Sequence, residues 1–515
     1  MKVVKTSRGA WAVAGVVAGL TGLATSYFVA MVMTIRSSPV VAIAELVIRM
    51  TPGRWAEKAI SIVGHKDKPI LVGVILVASV LLFAVAGRLA ASAWWKSTLL
   101  FAALAGVATW SVASEHNPSG VDFLPVVVGF VTWLVSLALL SQSLVGRPAP
   151  TAVDGEEAPA GRSRRGFLIG AGAMAALAIA LSGVGRVVGA GRRHVEQTRR
   201  LLRLSGVSQP TVPAGARLDL PGLHPWMTPS DDFYKIHTAI VVPAIEPVDW
   251  KLRIHGLVDH EVEITYQDLL DRQLTEGWIT LNCVSNPVGG DLIGNAWWSG
   301  VRLAELLAEA GLHPDADAVL QTSDDGWTCG TPVSALTDDR NAMLAVAMNG
   351  KPLPIDHGFP VRTIVPGLYG YVSACKWVVD MEVTKFSEIS AYWTQRGWGE
   401  QGPVKMSSRI DVPRFGDKVD PGDVRVGGVA WSQHTGISAV EVALDGGDWQ
   451  PAEISHPPTD DAWVQWAATV SAAPGDHTLK VRATDKNGLV QTGAVADVLP
   501  DGATGWHTIG FTARA

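Results

Sequence analysis

The chain has 515 residues, 48% of them apolar, with 42 Lys and Arg against 48 Asp and Glu and a formal net charge of -6. That length exceeds what one hydrophobic core usually serves, and the near-balanced charge, with no Lys/Arg stripe interleaved with aromatics, excludes nucleic acid as an expected partner. Three cysteines, Cys283, Cys329 and Cys375, are too few for a disulfide scaffold and lack the close pairing of a zinc site.

Residues 1–190 hold long runs of Ala, Val, Leu and Gly, whereas 210–515 carry most of the Asp, His, Pro and Trp. The first stretch contains apolar runs at 11–33, 70–90, 99–113, 124–145 and 167–188. Each is read as a helix crossing a hydrocarbon layer of roughly 30 Å, the third being the weakest. Lys2, Lys5 and Arg8, then Arg88 and Lys96, then Arg162, Arg164 and Arg165 flank the spans on the side that should be cytoplasmic. The loop 115–122 has no Lys or Arg and fits the outside, which also puts the long C-terminal part outside. Against this runs the first outer loop, with Arg36, Arg49, Arg54, Lys58, Lys66 and Lys68; its 40–50 portion reads as an amphipathic helix lying on the outer surface. The expected organisation is a four-helix membrane part at 1–145, a cytoplasmic linker at 146–162, and a fifth span within 163–190.

That fifth span opens on Ser163-Arg164-Arg165-Gly166-Phe167-Leu168. The pattern reads as a twin-arginine targeting signal placed inside the chain, recognised by the twin-arginine translocase; ordinary positive-inside residues before a helix are the alternative. Because that route moves folded proteins, it implies that the soluble part acquires a cofactor before crossing.

After a linker at 191–212, strands are predicted at 250–254, 278–283, 318–323, 342–348 and 376–383, and helices at 266–274 and 301–310, an α+β order. From Gly422 onward the segments are strand-like, with turn signals at Asp445-Gly446-Gly447-Asp448, Pro474-Gly475-Asp476 and Lys486-Asn487-Gly488. They predict a separate β-sandwich.

Three stretches are hard to explain as packing. Thr280-Leu281-Asn282-Cys283 ends a predicted strand and runs into the loop Val284-Ser285-Asn286-Pro287-Val288-Gly289-Gly290. A thiolate at a strand end is rigidly held yet open on one side, as a soft metal requires, although a lone Cys is also commonly a small buried hydrophobe. His357-Gly358-Phe359-Pro360-Val361-Arg362 puts an imidazole and a guanidinium on one loop, which suits a phosphate. The third, Pro366-Gly367-Leu368-Tyr369-Gly370-Tyr371-Val372-Ser373-Ala374-Cys375-Lys376-Trp377, is glycine-rich and closed by a lysine.

Together, in this order, and with Met348-Asn349-Gly350-Lys351-Pro352-Leu353-Pro354 and Tyr392-Trp393, these motifs resemble the molybdopterin-binding domain of the sulfite oxidase superfamily. The resemblance implies a molybdopterin domain at 213–410 and an immunoglobulin-like dimerisation domain at 411–515, through which a homodimer would form. The five spans with an internal arginine pair are similar to a membrane-anchored actinobacterial group. Carried over residue by residue, Cys283 matches the molybdenum ligand; His357 and Arg362 match residues holding the pterin and its phosphate. Ser373 and Lys376 fall in the loop closing over that group, and Thr322 where a pterin contact is usual. Asp231, Tyr234 and Lys235 match the segment flanking the cofactor, and His237 a histidine of sulfite oxidases there.

Two departures matter for substrate. Sulfite oxidases gather arginines around an anion; here one position is Lys235 and 284–291 contains no arginine. Lysine lacks the planar fork that recognises an oxyanion, so sulfite is disfavoured. Without a cytochrome b5-like segment, a separate electron partner is expected, a cytochrome or quinone system. His65 and His116 lie at span edges, so no haem is expected in the membrane part. The leading reading is two-electron or oxygen-atom transfer on a small molecule at the cell membrane, with the catalytic domain outside. Reduction of a sulfoxide such as oxidised methionine and a non-catalytic envelope scaffold are the alternatives. Cys329 and Cys375 are read as either a disulfide or two buried thiols, and Trp297, Trp298 and Trp398 as pocket-mouth or core residues.

Overall fold

The computed structural model describes residues 8–53, 55, 66–115, 118–144, 164–188 and 191–514. Lys2, Lys5, His65, His116, Ser163 and the linker expected at 146–162 lie outside the described residues. The chain divides into two compact units, Met1–His194 with Thr238–Pro243, and Val195–His237 with Ala244–Ala515.

The first unit is helical: α1 (Arg8–Val32), α2 (Pro39–Met50), α3 (Asp67–Ala90), α4 (Trp94–Ala113), α5 (Leu124–Gln142) and α6 (Arg164–Val188). Among the described residues, five helices are long and apolar enough to cross a membrane. Helix α1 packs against α3, α5 and α6, and its glycines permit this. A Cβ on Gly15 would lie 2.1 Å from the Phe83 carbonyl oxygen, and one on Gly87 2.0 Å from that of Trp11. Close backbone approach through small residues is how helices associate where no hydrophobic effect separates them from lipid. Trp133 donates from its indole N–H to Gly19 O at 2.9 Å and stacks on Phe101 with 5.4 Å between ring centroids. The helix expected at 40–50 is α2, which buries Ala42 with Ala108 and Val112 of α4. Beside it Arg36 pairs with Glu45 at 3.0 Å, and burial raises the Glu115 carboxyl to about 6. Thr238–Pro243 belongs here: Lys68 Nζ donates to Ala239 O at 2.8 Å.

Within 191–212, expected as linker, Gly191–Leu201 is a helix, α7. Glu196 bridges Arg199 and Arg200 at 2.7 Å one turn on, a spacing that supports a short helix against its unfavourable nucleation.

The second unit starts with two sheets, the first mixed and the second antiparallel throughout. One sheet has the order β2-β1-β10-β5-β6, from β1 (Lys251–Gly256), β2 (Val262–Thr265), β5 (Ala318–Ser323), β6 (Thr328–Pro332) and β10 (Val378–Thr384). The other runs β3-β4-β7-β8 with β9 also on β7, from β3 (Thr275–Asn282), β4 (Ile293–Arg302), β7 (Met343–Met348), β8 (Lys351–Pro352) and β9 (Arg362–Ile364). Helices α8 (Tyr266–Leu270), α9 (Leu303–Ala310), α10 (Val333–Thr337) and α11 (Gly370–Ser373) connect them. Leu303, Leu306 and Leu307 of α9 enter the core with Trp250, Ile254, Val319 and Met381; Gly311, in the left-handed region at φ 73°, ends that helix.

The rest is β-rich. A four-stranded sheet of β11 (Ser407–Val412), β13 (Gly422–Trp431), β17 (Val464–Ala472) and β16 (Glu453–Ile454) shares one apolar core with a five-stranded sheet. The latter comprises β12 (Lys418–Val419), β19 (Thr508–Ala513), β18 (Gly475–Asp485), β14 (Ile437–Leu444) and β15 (Gln450–Pro451). The expected 410/411 boundary falls inside β11. This C-terminal β-domain joins the preceding sheets through a tryptophan seam: Trp226 and Trp463 each donate an indole N–H to the other's carbonyl oxygen at 2.9 Å.

Candidate active site and cofactor cradle

Strand β3 is buried along its second half and delivers Cys283 just past its end. The Cys283 N–H donates to Leu292 O at 3.0 Å and its carbonyl accepts from the Asn286 N–H at 3.1 Å, so the strand end and the following loop close on each other. Asn286 Oδ1 accepts from the Leu292 N–H at 3.0 Å. The residue as a whole is 9% exposed. Burial pushes it up, while hydrogen bonds from the Ser285 N–H and hydroxyl and the charge of Lys376 favour the thiolate.

Electrostatic proximity links Tyr234 to Cys283 and Arg362; burial and the Cys283 sulfur hold the phenol well above its ordinary range. His357 rests on Phe233, whose ring is 5.7 Å away and edge-on. Its Nε2 lies 3.1 Å from Ser230 O, which assigns the proton to Nε2 and leaves Nδ1 an acceptor. Nδ1 is buried and has no hydrogen-bond partner among the described residues. Burial, then Lys376, Arg362 and Lys235, pull the imidazole down to about 2, so it is neutral.

Arg362 is 2% exposed. It donates to His357 O at 3.0 Å and lies over the Trp298 ring at 5.3 Å. Among the described residues no carboxylate pairs with it, and burial lowers it to about 10. Lys376 donates to Asp356 O at 2.8 Å. A desolvated guanidinium is costly without a counter-charge. The cradle thus combines a buried guanidinium without a carboxylate partner among the described residues, a buried acceptor that needs a donor, and a thiol. An anionic pterin with ring N–H groups and a thiolate-ligated metal meets all three needs.

The remaining sequence candidates are spread more widely. His237 is half-buried against Trp377, 6.0 Å between ring centroids. Lys235 is exposed but acts on His357. Asp231 is exposed. Thr322 lies on β5 opposite Asp380, and among the described residues no hydrogen bond ties its side chain to the cradle. Ser373 uses its hydroxyl proton on Tyr369 O at 2.9 Å, so it shapes the loop. Trp298 and Trp398 are core residues at 0% and 4% exposure. Cys329 and Cys375 are free, buried thiols, hydrogen-bonded to each other. Sequence reading missed Tyr369, which burial raises to about 12 and which feels Cys283; its only signal was its place in the glycine-rich loop.

Residues 239–393 match the oxidoreductase molybdopterin binding domain family. The uncharacterized oxidoreductase YuiH of Bacillus subtilis is 30% identical over 178 residues, covering 35% of this chain and 86% of that protein. Mitochondrial sulfite oxidase of Homo sapiens is 28% identical over 322 residues, covering 53% of this chain and 58% of that enzyme, so the chain spans little more than half the length of such relatives. The sulfane dehydrogenase SoxCD of Paracoccus pantotrophus aligns at 25% identity and a TM-score of 0.47, covering 56% of this chain and 84% of that one. The matched stretch defines a molybdopterin-binding oxidoreductase domain over residues 239–393. The chain belongs to the sulfite oxidase superfamily, and Mo-molybdopterin is its cofactor.

Proposed function

We propose that this protein is a membrane-bound molybdenum oxidoreductase that acts on a small substrate outside the cytoplasm, with Cys283 as the protein ligand to molybdenum. The observation that carries the reading is the convergence of Cys283, neutral His357 and the unpaired buried Arg362 on one cradle. When bound, the molybdenum centre supplies two-electron redox chemistry, with or without oxygen-atom transfer. The protein does the rest. Ser285 and Lys376 favour loss of the Cys283 proton. Arg362, Lys376 and Lys235 would neutralise an anionic ligand, and the buried His357 Nδ1 would accept a hydrogen bond from a donor on it. Tyr234 keeps its phenolic proton.

The missing arginines at Lys235 and through 284–291 favour a substrate other than sulfite. The five apolar helices support membrane attachment, and the Arg164-Arg165 pair supports export by the twin-arginine translocase with the catalytic domain outside. The C-terminal β-domain is inferred to be immunoglobulin-like and to form a homodimer, and electrons pass to or from a separate cytochrome or quinone system.

The test is metal and pterin analysis of the purified full chain, followed by a substrate screen with artificial electron donors and acceptors. Cys283→Ser should keep the pterin and lose turnover. Near-normal turnover in that variant, or absence of molybdenum from the parent protein, overturns the assignment.

A further inference from the structure

Thr280, three residues before Cys283, is held by the C-terminal β-domain through its N–H, its hydroxyl and its carbonyl. Its N–H donates to Asp461 O at 2.9 Å, its hydroxyl accepts from the Trp463 N–H at 2.8 Å, and its carbonyl accepts from the Gln433 side-chain amide. The loop beyond Cys283 is gripped from the same domain. Arg409 on β11, 5% exposed, is fixed by Asp411 at 2.7 Å and donates to Gly290 O at 3.0 Å. His507, just before β19, accepts at Nδ1 from the Ile410 N–H at 2.9 Å, which fixes its tautomer with the proton on Nε2. The Cδ2–Nε2 edge of that ring lies against Gly289, where a Cβ would come within 2.2 Å of it. Gly289 has φ 79°, so the turn tolerates a side chain neither sterically nor conformationally.

We propose that the C-terminal β-domain is a working part of the metal site, with Arg409 and His507 as positioning residues that hold the Gly289–Gly290 turn and thereby set how far the Cys283 sulfur is exposed. The cysteine lies between two grips of one rigid domain, six residues apart from the nearer contact on one side and three on the other. Loosening the Arg409–His507 grip frees the loop while leaving the Thr280 grip and the cradle of His357 and Arg362 in place. The inference rests on the assignment of Cys283 as the metal ligand only in its spectroscopic arm.

The test uses the full chain, cofactor-free and loaded, as His507→Leu, His507→Asn and Arg409→Met. In the cofactor-free chain, alkylation of Cys283 by iodoacetamide, resolved from Cys329 and Cys375 by peptide mass spectrometry, should speed up about tenfold in His507→Leu and Arg409→Met. His507→Asn, whose side-chain oxygen can take the Ile410 N–H, should return the rate toward the parent value. In the loaded chain the thiolate-to-molybdenum absorption should shift at normal molybdenum content. Unchanged alkylation and an unchanged spectrum in either variant, with tryptophan circular dichroism intact, overturn the proposal. If a variant loses that dichroism, Gly289→Ala, which presses the turn off the ring without altering the β-domain, decides by the same readouts. A Cys283→Ser chain that retains the absorption band refutes the ligand assignment alone, since the alkylation arm needs no metal.

Discussion

Replacing Arg362 by Met separates a cofactor anchor from a structural residue, because the two roles give opposite signs. The substitution removes a donor to His357 O at 3.0 Å and the cation over Trp298 at 5.3 Å, in a side chain only 2% exposed. A hydrogen bond to a charged group contributes about 1.5–3 kcal/mol. At about 1.4 kcal/mol per tenfold, the variant should hold its cofactor roughly ten- to hundred-and-forty-fold less tightly. The cofactor-free protein responds differently: losing a desolvated charge offsets the carbonyls left without a donor, so its stability should change by no more than about 1 kcal/mol. The assay is pterin fluorescence and molybdenum content of the purified full chain, alongside denaturant unfolding of cofactor-free protein. Full occupancy in the variant would refute the anchor role. So would a cofactor-free chain destabilised by several kcal/mol, which would make Arg362 a structural strut.

His357 gives a pH signature: its folded pKa is held down at about 2 against 6.5 in the unfolded chain, so the unfolded state binds more protons between those values. Stability of the cofactor-free protein is therefore full above 6.5 and falls with pH below it, by about 2 kcal/mol near pH 5. His357→Gln should remove that part of the slope in urea unfolding, and identical slopes would contradict a buried neutral imidazole. Replacing Arg164 and Arg165 by lysines keeps the charge of the flank but removes the address, so a pure charge rule expects no change in topology while a receptor-read signal expects failed export. Protease resistance of residues 210–515 in cells stripped of their wall is the expected result; digestion as in the parent would show the arginine pair to be ordinary flanking charge.

Where periodicity was strong, the sequence already contained the fold. Trp250, Leu252 and Ile254 alternate into the core of β1, and Leu303, Leu306 and Leu307 fall on one face of α9. Strand β4 was not legible. Gly294, Asn295, Ser299 and Gly300 break any apolar alternation, yet the strand is buried almost throughout because its neighbours come too close for side chains. A Cβ on Gly300 would lie 2.1 Å from Leu344 O, and one on Gly294 2.6 Å from the Phe233 ring. Small and polar residues that signal a loop in isolation are here the condition for packing.

The site divides the same way. Cys283, His357, Arg362 and Lys376 were singled out by short motifs, each weak alone, whose joint order carried the resemblance. Tyr369 and Asn286 depend on partners distant in sequence or on loop closure, and the contribution of the β-domain depends entirely on such partners: Arg409 reaches Gly290 across 119 residues, and Trp463 reaches Thr280 across 183. These are backbone contacts, to a carbonyl and from an amide, so the residues at one end need no particular side chain and leave no pattern. Local motifs therefore single out the candidate cofactor contacts, whereas the grip on the Cys283 segment comes from long-range hydrogen bonds, each joining a side chain to a backbone group, that no single stretch encodes. A substitution at His507 or Arg409 tests that division, because it alters the Cys283 environment without touching any residue of the cofactor motifs.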